Sequence, residues 1–178
     1  MTSARANESS NWLSAVSAER ARAWTGDFDA DAPDFEAIPR DKTGARAAAI
    51  LALYESDLTN RPVMQCVEWV VSEMGLSKKS RQFVSSLAAE VEDRRTELDR
   101  RLNRYSKRRT MHEASPVVRN VLRTALVELE MYPNTRTAVI INEAVKLSQM
   151  FDAEGSGRFV NGVLGAIVRD TGRDHGTA

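Results

Sequence analysis

The chain of 178 residues is poor in the residue types that build disulfides, metal sites and membrane spans. Its single cysteine, Cys66, cannot form an internal disulfide, and His112 and His175 are the only histidines, so no thiolate or imidazole cluster is available for a metal. The longest fully apolar run, 47–53, is too short to span a bilayer, and the polar first ten residues carry no secretion signal. We expect a soluble, cytoplasmic protein with no cofactor and no membrane contact.

Groups that could carry out catalysis are also scarce. Cys66 lies among apolar residues at helical spacing, which is typical of a buried structural thiol. Glycine is sparse, with 9 residues, and no glycine-rich phosphate loop follows a strand. The 155–157 segment (GSG) precedes a predicted helix whose N-terminus can hold an anion, but any helix joint offers the same. We therefore predict that the protein is not an enzyme.

Helical periodicity dominates the rest of the chain. Apolar residues recur at steps of three and four, and no stretch alternates with the period of a strand. Pro62 and Gly75 mark the ends of one segment, and Ser115 and Pro116 supply the N-cap and the first turn of another. The sequence thus predicts an all-α bundle from six amphipathic segments: 47–58, 63–74, 77–105, 116–129, 140–151 and 160–168.

The first forty residues have a different character. Trp12, Val16 and Trp24 fit one face of a short helix over 9–24, and the following segment 27–36 holds five acids and no base. We interpret this region as an arm and an acidic linker. The expected division is therefore an N-terminal extension at 1–38, a helical domain at 39–172 and a polar tail at 173–178.

Positive charge is concentrated locally although the totals balance, with 25 Lys+Arg and 25 Asp+Glu. The segment 94–109 contains eight bases and two acids, which fits either a solvated helix face or a strip that binds phosphates. A smaller basic group consists of Arg40, Lys42 and Arg46. Arg158 and Phe159 join a cation to an aromatic ring, the combination that binds single-stranded RNA, although Phe159 fits a core position equally well.

Four stretches together resemble the NusB family of transcription antitermination factors. They are 45–54 (ARAAAILALY), 121–129 (VLRTALVEL), 139–147 (VIINEAVKL) and 158–164 (RFVNGVL). The matches run over nearly the whole predicted bundle, whereas the first 40 residues have no counterpart. The resemblance implies a compact bundle of six to seven helices in two small helical subdomains.

The resemblance also implies partners and site residues. The partners are boxA-type RNA, the ribosomal protein NusE and the RNA polymerase antitermination complex that makes ribosomal RNA. Arg46, Ser156, Arg158 and Phe159 match family positions near the RNA, and Arg40 and Lys42 extend that group. Tyr54 matches a tyrosine on the NusE side, and Val118 aligns with a partner-contacting position that is acidic in the family. Its neighbour Arg119 is also expected to contact a partner.

Three positions depart from the family pattern or from ordinary helix preferences. The arginine run that opens the family's first helix is reduced to Lys42 and Arg46, which predicts weaker RNA affinity and a shallower salt dependence. Asp152 replaces a glycine of a family turn. Gly162 lies inside a predicted helix, where we expect it to permit a close helix–helix approach.

Three alternatives remain open. The first is a helical protein–protein adaptor of the transcription machinery that has lost RNA binding. The second is the NusB-like module of RNA cytosine methyltransferases, which the chain's end at Ala178 disfavours. The third is self-association as a homodimer.

Overall fold

The computed structural model describes residues 41–107, 109–152 and 155–173, which form seven helices and no strands. The helices are α1 (Lys42–Thr59), α2 (Val63–Glu73), α3 (Lys78–Asp93), α4 (Arg95–Tyr105), α5 (Pro116–Met131), α6 (Thr137–Phe151) and α7 (Ser156–Thr171). The prediction of an all-α bundle is confirmed for this part of the chain. The predicted helix of 9–24 and the acidic segment 27–36 lie outside the described residues.

Two groups of helices share one continuous core. Helices α1, α2 and α3 pack against one another, as do α5, α6 and α7, while α4 packs on α5 and α7. Contacts between α1 and α5 join the two groups, and both helices are buried along most of their length. The apolar side chains of both groups form a single cluster, so the two subdomains fold around a shared interior.

Local signals in the sequence set several helix ends. Ser115 accepts a hydrogen bond from the Val118 N–H at 3.3 Å, and Pro116 occupies the first turn of α5 as predicted. At the start of α1, the Asp41 carboxylate accepts from the N–H groups of Thr43 and Gly44. Each cap satisfies backbone donors that have no partner within the helix.

The predicted continuous segment 77–105 is divided by a break at Arg94, whose φ of −114° and ψ of 15° leave the helical region. The apolar stripe continues across the break, because Val91 and Leu98 are both fully buried. The two halves nevertheless pack on different neighbours, with α3 against α1, α2 and α5, and α4 against α5 and α7. One straight helix cannot follow both surfaces, so the prediction of an unbroken segment is wrong.

The glycines of α7 also differ from expectation. A Cβ at Gly162 would have no heavy atom within 4 Å, so the prediction of a close helix approach there is wrong. Gly157 is the crowded position, because a Cβ there would lie 2.8 Å from the Gln149 Nε2 atom of α6. The close approach between α6 and α7 therefore occurs at the start of α7.

Candidate nucleic-acid interface

An open groove of about 640 Å³ lies between the end of α4 and the exposed face of α7. Its walls combine cations, two aromatic rings and a floor of small side chains: Tyr105, Lys107, Arg158, Phe159, Gly162, Val163, Ala166 and Arg169. Because Gly162 has no side chain and no close neighbour, the middle of the groove stays open. This surface contains the predicted pair Arg158 and Phe159.

Phe159 borders the groove and also contacts the core. The ring is half-buried and packs against the apolar cluster, while Arg158 beside it is exposed. The guanidinium carbon of Arg109, in the loop after α4, lies 5.9 Å from the centre of the Phe159 ring, within the range of a cation–π interaction. Phe159 thus packs on the core and also borders the groove, and its contact with RNA stays a prediction.

Tyr105 forms the opposite wall. Its hydroxyl donates a hydrogen bond to the carboxylate of Asp170 on α7, and this bond raises the pKa of the phenol above its ordinary value. The bond ties the last turn of α4 to α7.

Arg46 lies in the interior rather than on this surface. Its Nε and Nη2 atoms donate to the Glu128 carboxylate at 2.7 and 2.6 Å, and its Nη1 lies 3.7 Å from Glu143 Oε2. Only 6% of its side chain is exposed. The expectation that Arg46 faces RNA conflicts with this geometry, because two carboxylates and the core already enclose its charge.

Glu143 completes this buried charge cluster. Its carboxylate accepts from the Thr43 hydroxyl and from Lys146 Nζ at 3.1 Å. Burial alone would raise the pKa of Glu143, but these bonds and the nearby Arg46 outweigh it and hold the pKa below its ordinary value. The cluster therefore joins α1, α5 and α6, and its Glu143 carboxylate stays ionised.

The other predicted RNA residues are dispersed. The Lys42 Nζ atom lies 5.4 and 5.8 Å from the ring centres of Phe83 and Tyr132, yet half of its side chain is exposed. Ser156 is buried and donates to the Ser148 carbonyl at 3.0 Å, so its hydroxyl is already used inside the protein. Arg40 lies outside the described residues. Of the six predicted residues, Arg158 and Phe159 line the groove.

The predicted partner residues fall into two environments. Tyr54 on α1 is half-buried, as expected for a ring at the edge of the core. Val118 is 1% exposed and belongs to the core, so its side chain cannot contact a partner as predicted. Its neighbour Arg119 is partly exposed, and its buried Nε atom has no hydrogen-bond partner among the described residues.

The basic segment 94–109 divides at the middle of α4. Arg94 donates to Glu90, Glu97 and Glu130 at distances between 2.7 and 3.0 Å. Arg95 pairs with Asp57 and Glu92, and Arg101 pairs with Glu97 and Glu130. Near the end of α4, Arg104, Lys107 and Arg109 are exposed and form no ion pair with the described part of the chain. The sequence count of charge in this segment hides that difference.

Sequence reasoning missed the acidic partners of the arginines. Glu128 lies within the buried face of α5, and Asp57 joins Arg95, Arg123 and Asn120 in a second polar cluster. An acidic residue inside an apolar stripe is the signal that could have revealed Glu128, because such a residue needs a buried cation.

The described residues contain neither a membrane-spanning helix nor a metal-binding cluster. None of the helices in 41–107, 109–152 and 155–173 has the length and apolar character needed to cross a membrane. Within the same ranges, no three His, Cys, Asp or Glu side chains converge as ligands for a metal ion.

The described residues thus form an all-α bundle with a groove that combines cations and aromatic rings, and these are the groups that single-stranded nucleic-acid binders use. Comparison with known proteins then identifies the family. The sequence profile of the NusB family matches residues 43–169, and the chain therefore belongs to that family.

Individual relatives agree with this assignment. The chain is 28% identical over 136 residues to the transcription antitermination protein NusB of Thermoanaerobacter sp. (strain X514), a match covering 76% of this chain and 96% of that protein. It is 34% identical over 125 residues to the protein of the same name from Chloroflexus aggregans, covering 69% and 83%.

Solved structures show the same architecture. T. maritima NusB superposes with a TM-score of 0.69 at 27% identity, over 73% of this chain and 92% of that one. A structure of the antitermination factors NusB and NusE in complex with dsRNA gives a TM-score of 0.65 at 27% identity, over 72% of this chain and 96% of the other.

Proposed function

We propose that this NusB-family protein acts in transcription antitermination by binding boxA-type RNA together with NusE. Its role is to hold these partners within the RNA polymerase antitermination complex rather than to catalyse a reaction. Because the proposed function is binding to nascent RNA, we place the protein in the cytoplasm. Support comes from the relatives' names and from the solved complex of NusB and NusE with dsRNA.

The observation that carries the RNA part of the proposal is the grouping of Arg158, Phe159 and Arg109 at one groove. An aromatic face supplies stacking for an unpaired base, and neighbouring guanidinium groups supply charge for its phosphates. The aromatic edge therefore favours RNA with unpaired bases over a continuous duplex, in which the bases are not accessible.

The NusE part of the proposal depends on Tyr54 and Arg119. Tyr54 offers a ring at the rim of α1, and Arg119 offers a partly exposed cation at the start of α5. Since Val118 is buried, the family's acidic contact has no equivalent here, and Arg119 would meet an acidic or carbonyl group of the partner.

The main alternative, an adaptor that has lost RNA binding, draws support from the burial of Arg46 and Ser156. The two functions make opposite predictions for RNA. An adaptor would bind NusE and show no salt-dependent affinity for boxA-type RNA, whereas the proposed function requires both.

Phe159→Leu tests the proposal directly. Leucine keeps apolar bulk against the core but removes the ring, so stability should fall by less than about 1.5 kcal/mol. The RNA dissociation constant should rise roughly 5- to 100-fold, because stacking on one base contributes about 1–3 kcal/mol. Fluorescence anisotropy with boxA-type RNA, with and without NusE, measures the affinity, and thermal unfolding measures the stability.

Matched variants separate the possible outcomes. Arg158→Gln should weaken RNA binding, while Lys78→Gln removes an exposed cation on α3 that does not line the groove and should change it little. Equal RNA affinity for the wild type and Phe159→Leu would contradict the stacking role. Binding of NusE without any RNA binding would favour the adaptor.

A further inference from the structure

We infer that the RNA-binding surface continues from Phe159 across the groove to the end of α4 and the loop after it. There Arg104, Lys107 and Arg109, together with Arg169 of α7, hold the phosphates of the bound strand. The inference rests on the proposed function and deepens it, because it assigns RNA contacts to a helix end outside the RFVNGVL stretch at 158–164 and outside the start of α1.

The first argument is the division of charge along α4. Arg94, Arg95 and Arg101 are paired with carboxylates of α1, α3, α4 and α5. Arg100, between them, is exposed without an ion pair in the described residues. After Leu102, carboxylates no longer pair with the cations of this segment: Arg104 and Lys107 are exposed without an ion pair in the described residues. Cations whose charge is not already neutralised by the protein are the ones available to phosphates.

The second argument is that these cations meet others from α7. Lys107, Arg158 and Arg169 line the same groove, and Arg109 lies over the Phe159 ring at its edge. Asp170 and Glu113 accept hydrogen bonds from Tyr105 and Thr110, and neither forms an ion pair with these cations among the described residues. Two chain segments far apart in sequence thus build one positive surface.

The third argument selects a nucleic acid as the occupant. A surface that served only solubility would not need its cations grouped around two aromatic rings and an open floor. A strand whose base stacks at Phe159 must pass its flanking phosphates along the groove, and the lining of the groove includes Lys107 and Arg169. Cations that follow an aromatic platform are the usual arrangement for tracking a single-stranded backbone.

The test compares two double variants in the full chain. Arg104→Gln with Lys107→Gln removes two cations at the end of α4, and Lys78→Gln with Lys79→Gln removes two exposed cations from the first turn of α3. Binding of boxA-type RNA is measured over a range of salt concentrations for both variants, for the wild type and for Arg158→Gln. A shorter RNA limited to the Phe159 contact is measured in parallel.

The expected result follows from counterion release. Each lost phosphate contact reduces the slope of log affinity against log salt by about 0.7 for single strands, so the α4 variant should lose about 1.4 in slope. At about 0.2 M salt this corresponds to roughly tenfold weaker binding of the longer RNA. The α3 variant should resemble the wild type, and the short RNA should bind the wild type and the α4 variant equally.

Two results would overturn the inference. If Arg158→Gln weakens binding but the two double variants keep the wild-type salt slope, the α4 extension is wrong and the proposed function stands. If the wild type itself binds no RNA in a salt-dependent manner, the inference fails together with the RNA part of the proposed function.

Discussion

The buried charge cluster of α1, α5 and α6 and the groove between α4 and α7 use arginine in opposite ways. In the cluster, Arg46 is enclosed by Glu128 and Glu143, and its charge serves the contact between helices. At the groove, Arg109 and Arg158 are exposed and have no carboxylate partner in the described residues. Arginine is thus part of the protein interior in one region and part of the proposed binding surface in the other.

The comparison shows that a basic residue has to be judged by the acids that reach it. The sequence predicts both Arg46 and Arg158 as RNA-binding residues, but only Arg158 is exposed to solvent. The same distinction holds along α4. At its start, the charge of Arg94 is neutralised by carboxylates, whereas Lys107 just beyond its end is exposed and has no ion pair in the described residues. Segment charge taken from sequence cannot separate these cases.

The largest effect is expected from Arg46→Glu. This substitution tests whether Arg46 is buried in the charge cluster, in contrast to the exposed arginines of the groove. The substitution places a third carboxylate beside Glu128 and Glu143 and removes their cation. Breaking a buried ion pair costs about 3–5 kcal/mol, so the free energy of unfolding should fall by at least that amount. Urea denaturation followed by circular dichroism measures it.

Arg104→Glu is the matched control, since it reverses an exposed arginine and should leave the urea midpoint nearly unchanged. A double substitution, Arg46→Met with Glu128→Leu, should recover part of the stability lost by Arg46→Met alone, because the uncompensated carboxylate is removed with its partner. An Arg46→Glu protein with wild-type stability and weaker RNA binding would return Arg46 to the surface.

The features that sequence analysis predicted correctly depend on neighbouring residues. The Ser115 cap, the Pro116 first turn and the end of α2 before Gly75 follow from a few adjacent positions. The break at Arg94 depends instead on distant helices. The apolar stripe of α3 packs against α1 and α5, whereas that of α4 packs against α5 and α7. Periodicity records which side chains are buried, but not which neighbour buries them.

The candidate site shows the same limit. Arg158 and Phe159 were predicted as a pair because they are adjacent in the chain, and they do line one groove. Their cationic neighbours Lys107, from the loop after α4, and Arg169, from α7, meet only in the folded protein. Burial of Arg46 and Ser156 depends on contacts with Glu128 and Ser148, which are distant in sequence and not marked by any local motif.

Substitutions at two glycines of α7 test the packing around the open floor of the groove, and their expected effect on stability is smaller. Gly162→Ala should stabilise the protein by about 0.5–1 kcal/mol, because the new methyl group meets no heavy atom within 4 Å and the unfolded chain loses freedom. Gly157→Ala should gain less or lose stability, since the Gln149 side chain must move away. Thermal unfolding of both variants measures the difference, and a larger gain for Gly157→Ala would contradict the packing described for α6 and α7.

The smallest effect concerns the neutralised half of α4 and its dependence on pH. Hydrogen bonds from Arg94 lower the pKa of Glu97 to about 2 from its ordinary 4.5. A carboxyl group with a lowered pKa in the folded state contributes stability above the unfolded value, and the contribution is lost as the pH falls from about 4.5 towards 2. The difference in unfolding free energy between the wild type and Glu97→Gln should therefore shrink over that range. Glu73→Gln is the control, because Glu73 is exposed and has no ion pair in the described residues. Its difference from the wild type should stay constant. If the Glu97→Gln difference is the same at both ends of the range, Arg94 is not neutralised by Glu97 in solution, and the contrast between the two halves of α4 is weaker than the structure indicates.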